Sequence, residues 1–143
     1  AYFIPTLLAG ATVSDIAADE NSFFVQSVRD KAKEVGPQMI DTLSLVYKKG
    51  IKIAFGTDSY VSKHGLNATE FGLLVQAGLS PTEAIKTATI YGADNLGKSD
   101  VLGSIEAGKF ADIVAVHGDP TKDITELMDI DFVMKEGVVY KNK

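Results

Sequence analysis

Residues 51–59, IKIAFGTDS, decide the fold class of this 143-residue chain. Ile51–Phe55 is predicted to be a strand, and Gly56–Ser59 is the polar loop at its carboxyl end. In sheets with helical crossovers, functional side chains collect where the strands end. Asp58 lies at such an end, where a carboxylate can coordinate a metal or accept a proton from a metal-bound water. The competing interpretation is a loop aspartate that only caps the next turn.

Upstream of this segment, a strand pattern is followed by a helical pattern. Residues 2–9 (YFIPTLLA) predict a short buried strand. Pro5 cannot donate to a ladder, so this strand is expected at an edge, at its own end or next to a site. Residues 22–49 have a helical period, and the Gly36-Pro37 pair is expected to break them into two helices. Gly50 then ends the second helix.

Two more helices are predicted downstream. The first runs from Asn67 to Ala77; its first residue is a good N-cap, and Glu70 occupies the position of a capping box. The second begins at Ser80–Glu83 (SPTE), a stronger start signal with proline at the first helical position. This helix is predicted to run to about Leu96, with Gly97 closing it.

After Lys98 the pattern changes to short strands and turns. The predicted elements are a strand at 110–116, at most a short helix at 124–128, and a hairpin of 131–135 and 138–141 around Glu136-Gly137. The chain is therefore divided into an α/β unit, residues 1–100, and a small β unit, residues 101–143.

Composition limits the classes of function. Fourteen Lys and Arg against nineteen Asp and Glu give a net charge of −5, which disfavours a nucleic-acid partner. There is no cysteine, which excludes disulfides, thiolate catalysis and zinc–thiolate sites. No apolar run is long enough for a membrane span, and no secretory signal is visible. The compartment stays open, with the cytoplasm favoured.

Only two histidines are present, and they differ in position. His64 follows Asp58 by six residues in a glycine-containing loop, where it could bind substrate, shuttle a proton or ligate a metal. His117 follows the predicted strand at 110–116 and is interpreted as structural or solvated. Thr6, at the end of the first strand, could present its backbone or hydroxyl group to the same pocket as Asp58.

Several segments in a fixed order resemble the end of the barrel and the following β segment of the amidohydrolase superfamily. They are GTDS at 56–59, HGxNxxE at 64–70, AGLSPTEAI at 77–85, AT at 88–89, LGSI at 102–105, GK at 108–109, ADIV at 111–114 and GDP at 118–120. No single segment is specific, but their order and spacing over residues 51–143 are. The HGxNxxE segment is similar to the imidazolonepropionase-like and Xaa-Pro dipeptidase-like branch.

The resemblance implies the last two βα units of a (β/α)8 TIM barrel in residues 1–100 and the C-terminal part of a small β-sandwich accessory domain in residues 101–143. It implies a divalent metal, commonly zinc, and hydrolysis of an amide or peptide bond in a small molecule or short peptide. Asp58 would ligate the metal, take the proton of the attacking water and pass it to the leaving amine. His64 would contact the substrate.

The sequence also departs from the family. The first strand of these enzymes carries a His-x-His pair, and later strands add further histidines. The two histidines of this chain do not form such a pair and are too few to fill all these positions. One aspartate does not hold zinc tightly when three or four ligands are needed. The chain alone is therefore expected to be inactive, and to be ordered with its missing N-terminal half or as a homo-oligomer. The alternatives are a non-catalytic α/β binding module derived from the family and an unrelated doubly wound domain.

Overall fold

A computed structural model describes residues 1–143 and contains five α-helices, one 3-10 helix and one three-stranded sheet. The elements are α1 (Leu7–Ala18), α2 (Gln26–Lys48), α3 (Thr69–Gln76), α4 (Pro81–Ala88), α5 (Ile90–Asn95), β1 (Ile113–Ala115), the 3-10 helix (Ile124–Met128), β2 (Phe132–Lys135) and β3 (Val138–Asn142). None of the helices combines the length and the apolar character that crossing a membrane requires.

Two short extended segments lie side by side in parallel, joined by a bridge between Phe3 and Ile53. The Phe3 N–H donates to the Lys52 carbonyl at 2.8 Å, and the Ala54 N–H donates to the Phe3 carbonyl at 3.0 Å. The predicted strand at 2–9 is therefore wrong beyond its first residues, because α1 already begins at Leu7. Pro5 cannot extend the ladder, and the backbone turns away at the next residue.

Each edge of this parallel pair is open in part: Phe55, on the same edge as Ile53, donates its N–H to the Thr87 carbonyl at 3.0 Å, but other backbone groups have no partner. The N–H groups of Ile4 and Ile53 donate to no backbone carbonyl, although Ile53 is only 4% exposed. Successive residues of a strand direct their backbone groups to opposite edges, so Ile53 faces away from Phe3. A buried N–H group without a partner is destabilising, so these edges are suited to pairing with further strands.

The helix α2 runs without a break through Gly36-Pro37, contrary to the prediction of two helices. Proline restricts the preceding residue partly through its Cβ, and glycine has none. The same lack of a side chain lets α2 approach α1, because a Cβ at Gly36 would lie 2.1 Å from Ser14 Oγ. Gly50 ends the helix as predicted: its N–H donates to Tyr47 at 2.9 Å, and the Ile51 N–H donates to Val46 at 3.3 Å.

The core lies between the helices and the second extended segment. Its buried members are Leu7, Leu43, Ile53, Leu74, Ala77, Leu79, Ala84 and Ile124. Ile124 belongs to the 3-10 helix, so the β unit shares this core with the α/β unit. The boundary near residue 100 stays a prediction.

The predicted helix from Ser80 to Leu96 is two helices, α4 and α5, separated at Thr89 with φ −116° and ψ −93°. Its start is confirmed, because the Glu83 N–H donates to Ser80 Oγ at 3.2 Å. Its end is confirmed as well: Gly97 has φ 64°, and its N–H donates to the Asp94 carbonyl at 3.0 Å.

The hairpin at the end of the chain is also confirmed. Glu136 and Gly137 both have positive φ, 50° and 81°, as a two-residue turn of type I′ requires. The antiparallel sheet has the order β1-β2-β3. The strand predicted at 110–116 is shorter, because only Ile113–Ala115 pairs with β2.

Two helical glycines provide a matched pair for testing how closely α1 and α2 pack. Gly72 in α3 is exposed with open space around it, so Gly72→Ala is expected to stabilise the protein by about 0.5–1 kcal/mol through helix propensity. Gly36→Ala gains the same propensity but must displace Ser14, so it is expected to destabilise. Thermal unfolding measures both; equal rises in Tm would contradict the close packing.

Candidate active site

The candidate site lies where the two parallel segments end. Three non-glycine residues have positive φ, and one of them, Glu136, belongs to the hairpin turn. The other two are Thr6, at φ 46°, and Asp58, at φ 48°, which follow the first and second extended segments. Left-handed backbone is unusual for a β-branched residue such as Thr6, and strain of this kind concentrates at functional sites. Asp58 thus lies after the second extended segment and Thr6 ends the adjacent one, while the roles predicted for them stay predictions.

Gly56 brings these two strand ends together. A Cβ at Gly56 would lie 2.4 Å from Ile4 Cγ2 and 3.5 Å from Thr6 Cγ2. The absence of a Cβ at Gly56 leaves room for the side chains of Ile4 and Thr6 beside the second segment. Asp58 follows two residues later and is exposed, so its carboxylate is accessible at the open end of the pair.

Glu70 binds the backbone directly after the first strand end. Its side chain is completely buried, and its two carboxylate oxygens accept the N–H groups of Leu7 at 2.9 Å and Leu8 at 2.6 Å. Burial raises the pKa of Glu70 above its usual value, while the hydrogen bonds from Leu8 and Leu7 oppose that rise. The predicted capping box on its own helix is wrong: Glu70 instead caps α1, and neither Asn67 nor Ala68 caps α3 through its side chain.

The loop between Asp58 and α3 contains the remaining candidates. His64 is exposed in this loop, beside Gly65 at φ 90°. The Ser62 hydroxyl is buried and has no hydrogen-bond partner. Asn67 Nδ2 lies 3.5 Å from Thr57 Oγ1, which ties the start of α3 to the strand end. His64 is thus an accessible histidine six residues after Asp58 in the chain, and its predicted contact with substrate stays a prediction.

The side chains of this chain do not make a complete metal site. No group of three or more His, Asp or Glu residues lies close enough together to hold an ion. A structural or catalytic zinc site requires at least three protein ligands, so the side chains of residues 1–143 do not by themselves form one.

A large cavity lies at the opposite end of the parallel pair. It has a volume of about 520 Å³ and is lined by Tyr2, Lys52 and Asp94 among others. Its polar groups already bind one another: Tyr2 donates to Asp94, and Lys52 forms an ion pair with Asp94 at 3.1 Å. In folds built from parallel strands and helices, functional sites lie at the strand carboxyl ends, so those ends are the better candidate.

Sequence reasoning placed Asp58 and His64 in one loop but missed the role of Glu70. The spacing of Glu70, Leu74 and Ala77 could have indicated that Glu70 is buried, because it places the carboxylate on the apolar face of the helix. All three residues are buried in the structure. A carboxylate on such an apolar face needs a partner inside the protein. No local pattern identified that partner, since it lies more than sixty residues upstream at Leu7 and Leu8.

Comparison with known proteins places the chain in a family. The amidohydrolase family matches residues 4–140. A solved Xaa-Pro dipeptidase with methionine bound in its active site is 46% identical, with a TM-score of 0.93 over 99% of this chain and 34% of that one. The 5-methylthioadenosine/S-adenosylhomocysteine deaminase of Thermodesulfovibrio yellowstonii is 30% identical over 87% of this chain and 33% of its own length.

A probable imidazolonepropionase of Nematostella vectensis is 39% identical over 49% of this chain and 17% of its own length. The chain thus spans about a third or less of the length of these relatives. The α/β arrangement of helices and strands described above is the one found in the solved Xaa-Pro dipeptidase. Both branches named by the sequence motifs are represented among the similar proteins. The chain belongs to the amidohydrolase family.

Proposed function

We propose that this chain is the C-terminal part of a metal-dependent amidohydrolase that hydrolyses C–N bonds, with Xaa-Pro dipeptides as the substrate class. The observation that carries the proposal is the similarity to the Xaa-Pro dipeptidase along nearly the whole chain. The position of Asp58 at the carboxyl end of an extended segment supports it independently.

The open edges of the parallel pair support a larger barrel. In this proposal the segments around Phe3 and Ile53 are the seventh and eighth strands of a (β/α)8 barrel, and the unpaired N–H groups of Ile4 and Ile53 receive partners from strands outside the chain. The sheet of β1, β2 and β3 is then the C-terminal part of a β-sandwich accessory domain. Alone, the chain would pair with copies of itself and form a homo-oligomer.

Asp58 is proposed as the catalytic carboxylate of the whole enzyme. Histidines outside this chain would supply the other metal ligands, with zinc as the expected metal; a bound zinc polarises the substrate carbonyl and lowers the pKa of water. Asp58 accepts the proton of the attacking water and gives it to the leaving amine. The 143-residue chain by itself is proposed to be inactive because it lacks these ligands.

The test compares this chain with the product of its complete reading frame. Both are assayed for release of proline from Met-Pro, for release of the amino acid from N-acetylmethionine, and for release of ammonia from S-adenosylhomocysteine. The proposal predicts proline release by the complete protein only. Ammonia release without peptide cleavage would assign the chain to a deaminase instead, as the relative from Thermodesulfovibrio yellowstonii suggests.

His64 is expected to affect substrate binding more than the chemical step. Its exposed side chain lies in the loop after Asp58, so His64→Gln in the complete enzyme is expected to raise KM for Met-Pro by about tenfold, the effect of one lost hydrogen bond to substrate, with little change in kcat. His117→Gln, the other exposed histidine, is the matched control and should match the wild type. Equal KM and kcat for the two variants would show that His64 does not contact the substrate.

A further inference from the structure

We propose that Glu70 is a positioning residue of the active site: by holding Leu7 and Leu8 it fixes Thr6 next to Gly56, so that the Thr6 hydroxyl is free to bind a polar group of the substrate. This inference rests on the proposed function and extends it, because neither Glu70 nor Thr6 has a role in the mechanism described above.

The α1 helix is capped by a remote carboxylate and not by the residue that precedes it. A threonine that precedes a helix usually adopts extended backbone and accepts an N–H group of the first turn through its own hydroxyl. Thr6 does neither, since its φ and ψ are 46° and 47° and its side chain makes no capping hydrogen bond. The N–H groups of Leu7 and Leu8 bind Glu70 instead. A carboxylate from another helix thus replaces the local cap and releases the threonine side chain.

The backbone of Thr6 is strained. Left-handed backbone at a β-branched residue is destabilising and persists only where the surroundings determine it. The two charge-assisted hydrogen bonds from Glu70 fix the residues directly after Thr6, and both are fully shielded from solvent because Glu70 is completely buried. An ordinary helix cap would not need this strain, so the strain indicates that the direction of Thr6 matters.

The Thr6 side chain lies beside the second strand end. Thr6 Cγ2 would lie 3.5 Å from a Cβ at Gly56, which places the threonine side chain against the second strand end, two residues before Asp58. The methyl group faces this glycine, and the partly exposed side chain leaves its hydroxyl for a ligand. A hydroxyl can donate to a substrate carboxylate or carbonyl, both of which a Xaa-Pro dipeptide carries.

The experiment is a double-mutant cycle in the complete enzyme with Met-Pro as substrate. Glu70→Gln keeps the size and shape of the side chain, but its amide NH2 group is a donor and cannot accept one of the two backbone N–H groups. Thr6→Val replaces only the hydroxyl group, with a methyl group. Each is expected to lower kcat/KM about tenfold, and the double variant about tenfold also, because Glu70 acts through Thr6. Ser80→Ala is the control: it removes a helix cap of α4 away from the strand ends and should leave kcat/KM unchanged.

Two outcomes would overturn the inference. Glu70→Gln that lowers Tm but retains kcat/KM, as Ser80→Ala does, would reduce Glu70 to a helix cap. A hundredfold loss in the double variant would mean that the two residues act independently. If Glu70→Gln does not fold, Thr6→Gly decides, because it keeps the left-handed backbone without the hydroxyl; wild-type kcat/KM in that variant refutes the role of Thr6. An inactive wild-type enzyme would instead refute the proposed function itself.

Discussion

Asp58→Asn in the complete enzyme is expected to lower kcat for Met-Pro by about 10²–10⁴-fold, the range for loss of a general base. Asparagine has nearly the same shape and tolerates left-handed backbone, which Asp58 adopts at φ 48°, so the fold should be unchanged. What is lost is the negative charge that accepts the proton and contributes one metal ligand. Metal content should therefore fall together with kcat.

The control for this prediction is Asp41→Asn. Asp41 is an exposed carboxylate on α2, a helix that contains none of the proposed site residues. Its variant should retain wild-type kcat, metal content and Tm. An Asp58→Asn enzyme that keeps more than about a tenth of the wild-type kcat would exclude the carboxylate as the base, because such a group contributes at least about a hundredfold.

Gly103→Ala is expected to have the largest effect on stability. Gly103 has φ 92°, and an added Cβ would lie 2.7 Å from Ala93 Cβ, 2.9 Å from the Thr89 carbonyl oxygen and 3.2 Å from Ile90 Cα. Two of these neighbours are backbone atoms at the junction of α4 and α5 and cannot rotate away. Strain from left-handed backbone and overpacking together are expected to cost about 2–5 kcal/mol.

Gly108→Ala separates the two contributions. Gly108 has φ 91°, nearly the same as Gly103, but no atom lies within 4 Å of an added Cβ. It should lose only the backbone part, about 1–2 kcal/mol. Thermal unfolding of both variants measures the difference, and equal losses would show that the contact with the α4–α5 junction contributes nothing.

The sequence predicted the features that depend on local chemistry. Gly50 and Gly97 end helices, Ser80 caps α4, and Glu136-Gly137 forms the hairpin turn, because each signal acts within a few residues. The position of Asp58 after an extended segment was predicted in the same way, from the local pattern of residues 51–59. These elements needed no knowledge of the tertiary structure.

The predictions that failed depended on contacts between distant residues. Gly36-Pro37 stays helical because α2 packs on Ser14 of α1, and the strand at 2–9 ends early because Glu70 provides a cap for a helix that begins at Leu7. Local propensity favoured a break in the first case and an extended chain in the second. Tertiary contacts outweighed it in both. Glu70 was assigned to a capping box for the same reason: its partners were remote.

The most direct test of the account is reconstitution of the enzyme from two polypeptides. The 143-residue chain and the remainder of its reading frame are purified separately, then mixed or co-expressed, and proline release from Met-Pro, metal per complex and size are measured. The account predicts that neither piece is active alone and that a 1:1 complex binds metal and releases proline. A compact monomer of this chain that binds one metal ion, or hydrolyses Met-Pro by itself, would contradict it.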